Sequence, residues 1–139
     1  METSIETFIG FGEIGGIRCG ASLADILSTL GKPSDISLGK FPKIFRFGAI
    51  GITIFESMVI AINIDVDRNN FPNSRINDQA TFVGMDYDSA SKWLDVRLIK
   101  HENYSALAYA NKNAIKILQS RVCMYFEDNA LTAVGLVCA

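Results

Sequence analysis

The chain has 139 residues, 49% apolar and 20% charged, with a formal charge of −2. That size and apolar content fit one ordinary domain, or two small units sharing a core, and exclude a disordered chain, which lacks the apolar surface to offset its entropy. Acids and bases are mixed along both halves, so no basic field attracts a phosphate backbone and nucleic acid is not an expected partner.

The opening "METSIETFIGFGEIGG" is acidic and broken by glycines, unlike the basic and apolar regions of a secretory signal. No apolar run approaches the ~20 residues needed to cross a bilayer. A cytoplasmic protein with no membrane partner is expected. Cys19, Cys123 and Cys138 are odd in number, lack C-x-x-C spacing and sit in apolar settings, so all three are expected as buried reduced thiols.

In chain order, Thr3 and Glu6 have capping-box spacing ahead of a short helix that Gly10 could stop. Ile17-Arg18-Cys19 reads as a short strand. From Ser22 the period changes: Leu23, Ile26, Leu27 and Leu30 recur at three and four residues, as on one helical face. Ser22 caps this helix, Asp25 complements its dipole, Gly31 ends it and Pro33 keeps it from resuming. After a loop come three extended stretches, 44–47, 50–55 and 59–64, separated by turn-length breaks and read as an antiparallel meander. The polar residues 65–79 read as a linker.

A second helical pattern over 88–98 aligns Ala90, Trp93, Leu94 and Arg97, with Asp86 or Asp88 as cap. "LIKHENY" alternates as a strand, "SALAYANKN" is open between loop and helix, and strands are expected over 114–118, 121–126 and 130–137. The order helix, connector, three strands thus occurs twice. The strands align at an offset of 71, pairing Phe55 with Phe126 and Glu56 with Glu127, and the helices align at 67. The expected fold is α+β: two αβββ repeats, residues 1–68 and 80–139, forming antiparallel sheet with helices packed on one face. Strands apolar on both sides imply that something covers part of the second face: the other repeat, a second subunit or a partner.

The stretch "IRCGASLADILSTLGKP", through Gly20, Ser22, Asp25, Ile26, Leu30, Gly31 and Pro33, resembles a strand–cap–helix–stop pattern of small outer-membrane lipoproteins of the OmlA/BamE type. It is also similar to that of small bacterial immunity proteins, and the tandem β-lactamase-inhibitor-protein-like fold has a related architecture. The match covers about an eighth of the chain, and no lipid-attachment cysteine stands near the start. The resemblance implies a non-catalytic protein-binding scaffold.

Motifs that spell chemistry fail on context. Gly10 to Gly15 read G-x-G-x-x-G with Asp35 twenty residues beyond, but a dinucleotide site needs glycines between a strand and a helix N-terminus. Asp65, Asp67 and Asn69 match the first calcium-loop positions, yet Asn70 stands where glycine is required and Ile76 where glutamate is. His101 is the single histidine and has no cysteine pair for zinc. Glu127 and Asp128 are read as turn formers. No cofactor and no metal are expected, and no catalytic residue is assigned. The partner-binding candidates are Asp65, Asp67, His101, Glu102 and Tyr104, an acidic and aromatic rim suited to a basic protein. The expected partner is another protein, of which a toxin encoded nearby is one form, with a homodimer also open. The alternative is a small ligand-binding protein or enzyme with a pocket between the repeats, using Tyr87, His101 and Tyr104.

Overall fold

In the computed structural model, which describes residues 3–37, 42–66, 76–104 and 112–138, turn chemistry sets the strands. β1 (Asp35–Ile36), β2 (Lys43–Phe47), β3 (Ile50–Phe55) and β4 (Met58–Asp65) form one antiparallel run; β5 (His101–Asn103), β6 (Lys112–Ile117), β7 (Cys123–Glu127) and β8 (Ala130–Val137) form another. The β3–β4 turn is Glu56-Ser57 at φ 50° and 64°, and the β7–β8 turn is Asp128-Asn129 at φ 52° and 58°. Two successive positive φ values make the tight hairpin turn whose twist suits the flanking strands.

The second turn corrects the sequence alignment. Glu127 pairs with Ala130, so Asp128-Asn129 makes the turn, and Phe55 corresponds to Glu127 rather than to Phe126. Phe126 is buried while Phe55 is exposed, as a one-residue slip requires. Each hairpin also carries a bulge, between Thr53/Ile54 and between Tyr125/Phe126, which leaves Ile60 and Thr132 without a register partner in their own hairpins. The extra residue resets the alternation of β4: Val59 turns inward with Ile62 and Ile64, instead of opposing them.

All eight strands join in one sheet of order β1-β2-β3-β4-β8-β7-β6-β5. Each half therefore contributes four strands: β5 lies within the stretch "LIKHENY" that alternates as a strand, whereas two-residue β1 lies in a stretch that reads as loop. The halves meet where β4 and β8 run antiparallel, Ala61 opposite Val137 through Asp65 opposite Ala133.

A single hydrophobic core lies on one side of this sheet. Ile50, Ile52, Ile62, Ile64, Ile115, Met124 and Val134 face Phe8 and Ile9 of α1 (Ile5–Phe11), Ile26 and Leu30 of α2 (Leu23–Leu30), Phe82 of α3 (Gln79–Phe82), and Ala90 and Leu94 of α4 (Tyr87–Val96). Burying one such side chain stabilises the fold by about 1.5–3 kcal/mol. Helix α2 matches its sequence signals, with the Ser22 hydroxyl accepting from the Asp25 amide and Gly31 closing it at φ 80°. In α4 the Asp86 carboxylate accepts from Ser89 N–H, which lowers its pKa. Helix α1 starts after Ser4 rather than Thr3 and runs through Gly10 to Gly12, whose φ of 71° makes the stop.

The stretch read as a linker is partly structural. Asp78 accepts from the Ile5 and Glu6 amides at 2.8 and 3.0 Å, capping α1 from across the chain, and Ile76 is buried beside Thr3. The ambiguous "SALAYANKN" lies largely outside the described residues.

The cysteine expectation is overturned for two of the three. Cys19, ahead of α2, is disulfide-bonded to Cys138 at the end of β8, with Cα atoms 5.7 Å apart and a sequence separation of 119; Cys123 remains free and buried. Apolar surroundings do not distinguish a thiol from half a bridge, and the pairing depends on the tertiary fold. Loop-closure entropy for so long a loop corresponds to roughly 4–5 kcal/mol. Cys138→Ser is expected to lower unfolding free energy by about 2–5 kcal/mol in urea titrations. Thiol titration of the unfolded, unreduced wild type should find one reactive group.

Candidate functional site

The face away from the helices presents two rows that cross-strand register assembles. One runs Asp35, Arg46, Gly51, Asn63, Gly135, Cys123, Lys116, Glu102, one residue from every strand. The second runs Asp65, Ala133, Tyr125, Ala114, and is extended by Tyr104, whose N–H donates to the Ala114 carbonyl at 2.9 Å. The first row has small residues near its centre and charged ones toward its sides, and the second sets Tyr125 between two alanines with Asp65 and Tyr104 at its ends.

The glycines determine how the larger side chains lie. A Cβ on Gly135 would stand 3.1 Å from Asn63 Oδ1 and 3.3 Å from Tyr125 Cε2, so those groups rest directly on the backbone there. Over Gly51 lies the Arg46 guanidinium, reaching across β3 to bond Asp65 Oδ2 through Nη2 at 3.0 Å. Asp65 Oδ1 accepts from Asn63 Nδ2 at 3.0 Å. Arg46 Nη1 is buried with no hydrogen-bond partner among the described residues. At the other side Lys116 Nζ stands 5.7 Å above the Tyr104 ring, a cation–π distance.

Between them, Cys123 and Tyr125 stand two residues apart along β7, each in the row of its own register position. Burial raises both pKa values; the Tyr125 phenol is pushed up to about 12, with the nearby Cys123 contributing next. A thiol held protonated by burial is a poor nucleophile. Among the described residues no three His, Cys, Asp or Glu side chains are grouped to hold a metal, and no helix is long and apolar enough to cross a membrane.

The sequence-derived candidates separate on this framework. Asp65 and Tyr104 lie on one row, four strand spacings or roughly 19 Å apart, and Glu102 lies opposite Lys116. His101 belongs to the other face: its ring meets Ser91 Oγ at 3.1 Å and the Ile99 carbonyl at 2.9 Å, tying β5 to α4, with Asp95 at 3.8 Å. Asp67 lies outside the described residues. The acidic rim is not a free negative surface, because Asp65 is paired with Arg46. Tyr87 packs on Phe126 at 5.4 Å and its hydroxyl accepts from Asn103 of β5. Sequence reasoning missed Arg46, Lys116, Tyr125 and Cys123. Arg46 gives one signal, a lone charge between two inward phenylalanines of β2.

No known family matches the sequence, and no curated protein matches it. Among solved structures, an extracellular protein containing a SCP domain from Bacillus anthracis str. Ames is similar over 86% of this chain, with 11% identity and a TM-score of 0.48; the chain spans 44% of that protein.

Two outcomes follow from the geometry. Asp65→Ala strands a half-buried guanidinium and should cost about 1–3 kcal/mol, whereas Arg46→Met with Asp65→Leu should recover most of it, as urea titration of the cycle would measure. The Tyr125 phenol keeps its proton to about 12 when folded, against an ordinary value of 10.0. Stability linked to it is complete below pH 10 and lost as pH rises toward 12, and Tyr125→Phe should flatten that limb of the stability–pH curve.

Proposed function

We propose that the chain is a non-catalytic protein-binding module of two tandem αβ repeats, acting as an immunity-type inhibitor that neutralises a toxin by direct binding. The observation that carries the reading is the open sheet face: eight strands wide, small at its centre, and edged by half-buried cations and aromatic rings that a partner can desolvate at little conformational cost.

Duplication is supported by correspondences at corrected offsets. Gly20 and Gly84, 64 residues apart, both have positive φ; Ser22 and Asp86, again 64 apart, both cap a helix by accepting from the amide three residues on. Val59 N–H donates to the Ala21 carbonyl and Leu131 N–H to that of Met85, so the hairpins, offset by 72, dock on the helix leads in the same way. The intervening connector explains the unequal offsets. A duplicated helix-and-sheet unit is the architecture that the sequence resemblance implies.

The Cys19–Cys138 bond weighs against the cytoplasmic location expected from the sequence, because such bonds persist in oxidising compartments. Action in a periplasm or outside the cell suits it better.

Calorimetry with the toxin-like product of the neighbouring gene tests the reading. Ala133→Arg and Lys116→Glu, both on the open face, should each weaken binding about tenfold or more, while Lys92→Glu on the exposed side of α4 should not. Absence of binding to neighbouring gene products would remove the immunity role. Equal effects of all three variants would remove the open face as its site.

A further inference from the structure

A second surface lies at the end of the sheet where β6 and β8 finish. Phe11, Leu98 and Leu118 are 74%, 90% and 46% exposed, and all three border one cavity of about 700 Å³ with Ile99 and Ile117 on its wall. Large apolar side chains grouped around a hollow are a feature of interaction sites, whereas singly scattered ones need no explanation.

Leu98 is also in the wrong conformation for its type. It follows the α4 C-cap Arg97 at φ 58°, with its N–H donating to the Asp95 carbonyl and the Ile99 N–H donating to Leu94. That is the helix-ending motif whose left-handed position glycine fills without strain. The chain instead holds an almost fully exposed leucine there. Its side chain makes no core contact that could offset the strain, so the folded monomer gains nothing from it.

Charge restricts the occupant. Arg97 is bonded to Glu6 at 2.9 Å and lies 3.9 Å above the Trp93 ring, and Arg18 is paired with Glu13. Lys100 on the cavity wall, and Arg121 on the adjoining hollow that also borders Phe11, have no acidic partner among the described residues. Asp95 lies beyond Leu98 and faces His101. The apolar groups surround a concavity instead of forming a convex tip, which suits an inserted side chain better than a lipid surface.

We propose that this hollow docks an acidic amphipathic segment of another protein, with apolar side chains between Phe11 and Leu118 under Leu98, and carboxylates toward Lys100 and Arg121. The site is separate from the open sheet face, so it stands or falls independently of the immunity reading.

The test uses the full chain and a short helix-forming peptide with Leu at i, i+3, i+4 and i+7 and Glu elsewhere, alongside its Lys-substituted counterpart and phosphatidylglycerol vesicles. Binding is followed by calorimetry and by the fluorescence of Trp93, the chain's one tryptophan. The Glu peptide should bind saturably and the Lys peptide about tenfold more weakly or not at all, a preference that Lys100→Glu should abolish. Leu98→Gly should weaken the Glu peptide about tenfold while raising the melting temperature by a few degrees, a combination that a structural role for Leu98 would not produce. Equal binding of both peptides, no saturable binding of the Glu peptide, retained affinity in Leu98→Gly, or a preference for the vesicles would each overturn the proposal.

Discussion

The pairing of β4 with β8 is the constraint on which the rest of the molecule depends. These are the two longest strands, each eight residues, and they pair across five positions at the middle of the sheet. Apart, either would be a long apolar edge with unsatisfied amides and carbonyls, open to pairing with other chains. Together they put Ile62 beside Leu136 and Ile64 beside Val134, so the apolar sides of both halves form one floor under the four helices. The outer edges of the sheet fall to β1 and β5, of two and three residues. Long strands are thereby internal and short ones peripheral, an arrangement that limits edge-to-edge association.

The same pairing builds the open face. Asn63 and Gly135 meet only because β4 and β8 are in this register, and that contact continues the row from Arg46 on one side to Lys116 on the other. Glycine at 51 and 135 lets long side chains lie flat along the sheet, so Arg46 can span a whole strand to reach Asp65. Helices cover one side through apolar contact; the other side is half-buried by its own side chains.

Local signals carried much of the fold. The cap and stop of α2, the strands β2 to β4, and the bounds of β8 are legible because hairpin turns and helix ends are written in a few adjacent residues. What depends on distant residues is not legible: the Asp78 cap on α1, the Cys19–Cys138 bridge, and β1, which is a strand only because Arg46 and Phe45 stand beside it. The repeated Phe-Glu dipeptide misled for a physical reason. Residue identity carries no information about bulges, and one residue of slip exchanges a buried Phe126 for an exposed Phe55. Of the site, Asp65, Glu102 and Tyr104 were visible as polar residues near strand ends, but their arrangement follows from register across strands that are not neighbours in sequence. His101 looked accessible because its partner, Ser91, lies on a different element.

The disulfide also governs how the molecule would come apart. It encloses all the chain between residues 19 and 138, which among the described residues includes β1 to β8 and helices α2, α3 and α4. A protease that cuts once anywhere in that span separates no fragment: both pieces remain in one covalent molecule, and a nicked chain keeps its partner strands within reach. Reduction after such a cut removes that tether and leaves two separate chains, so exposure to protease alone and exposure to protease with reductant are distinct fates for this protein.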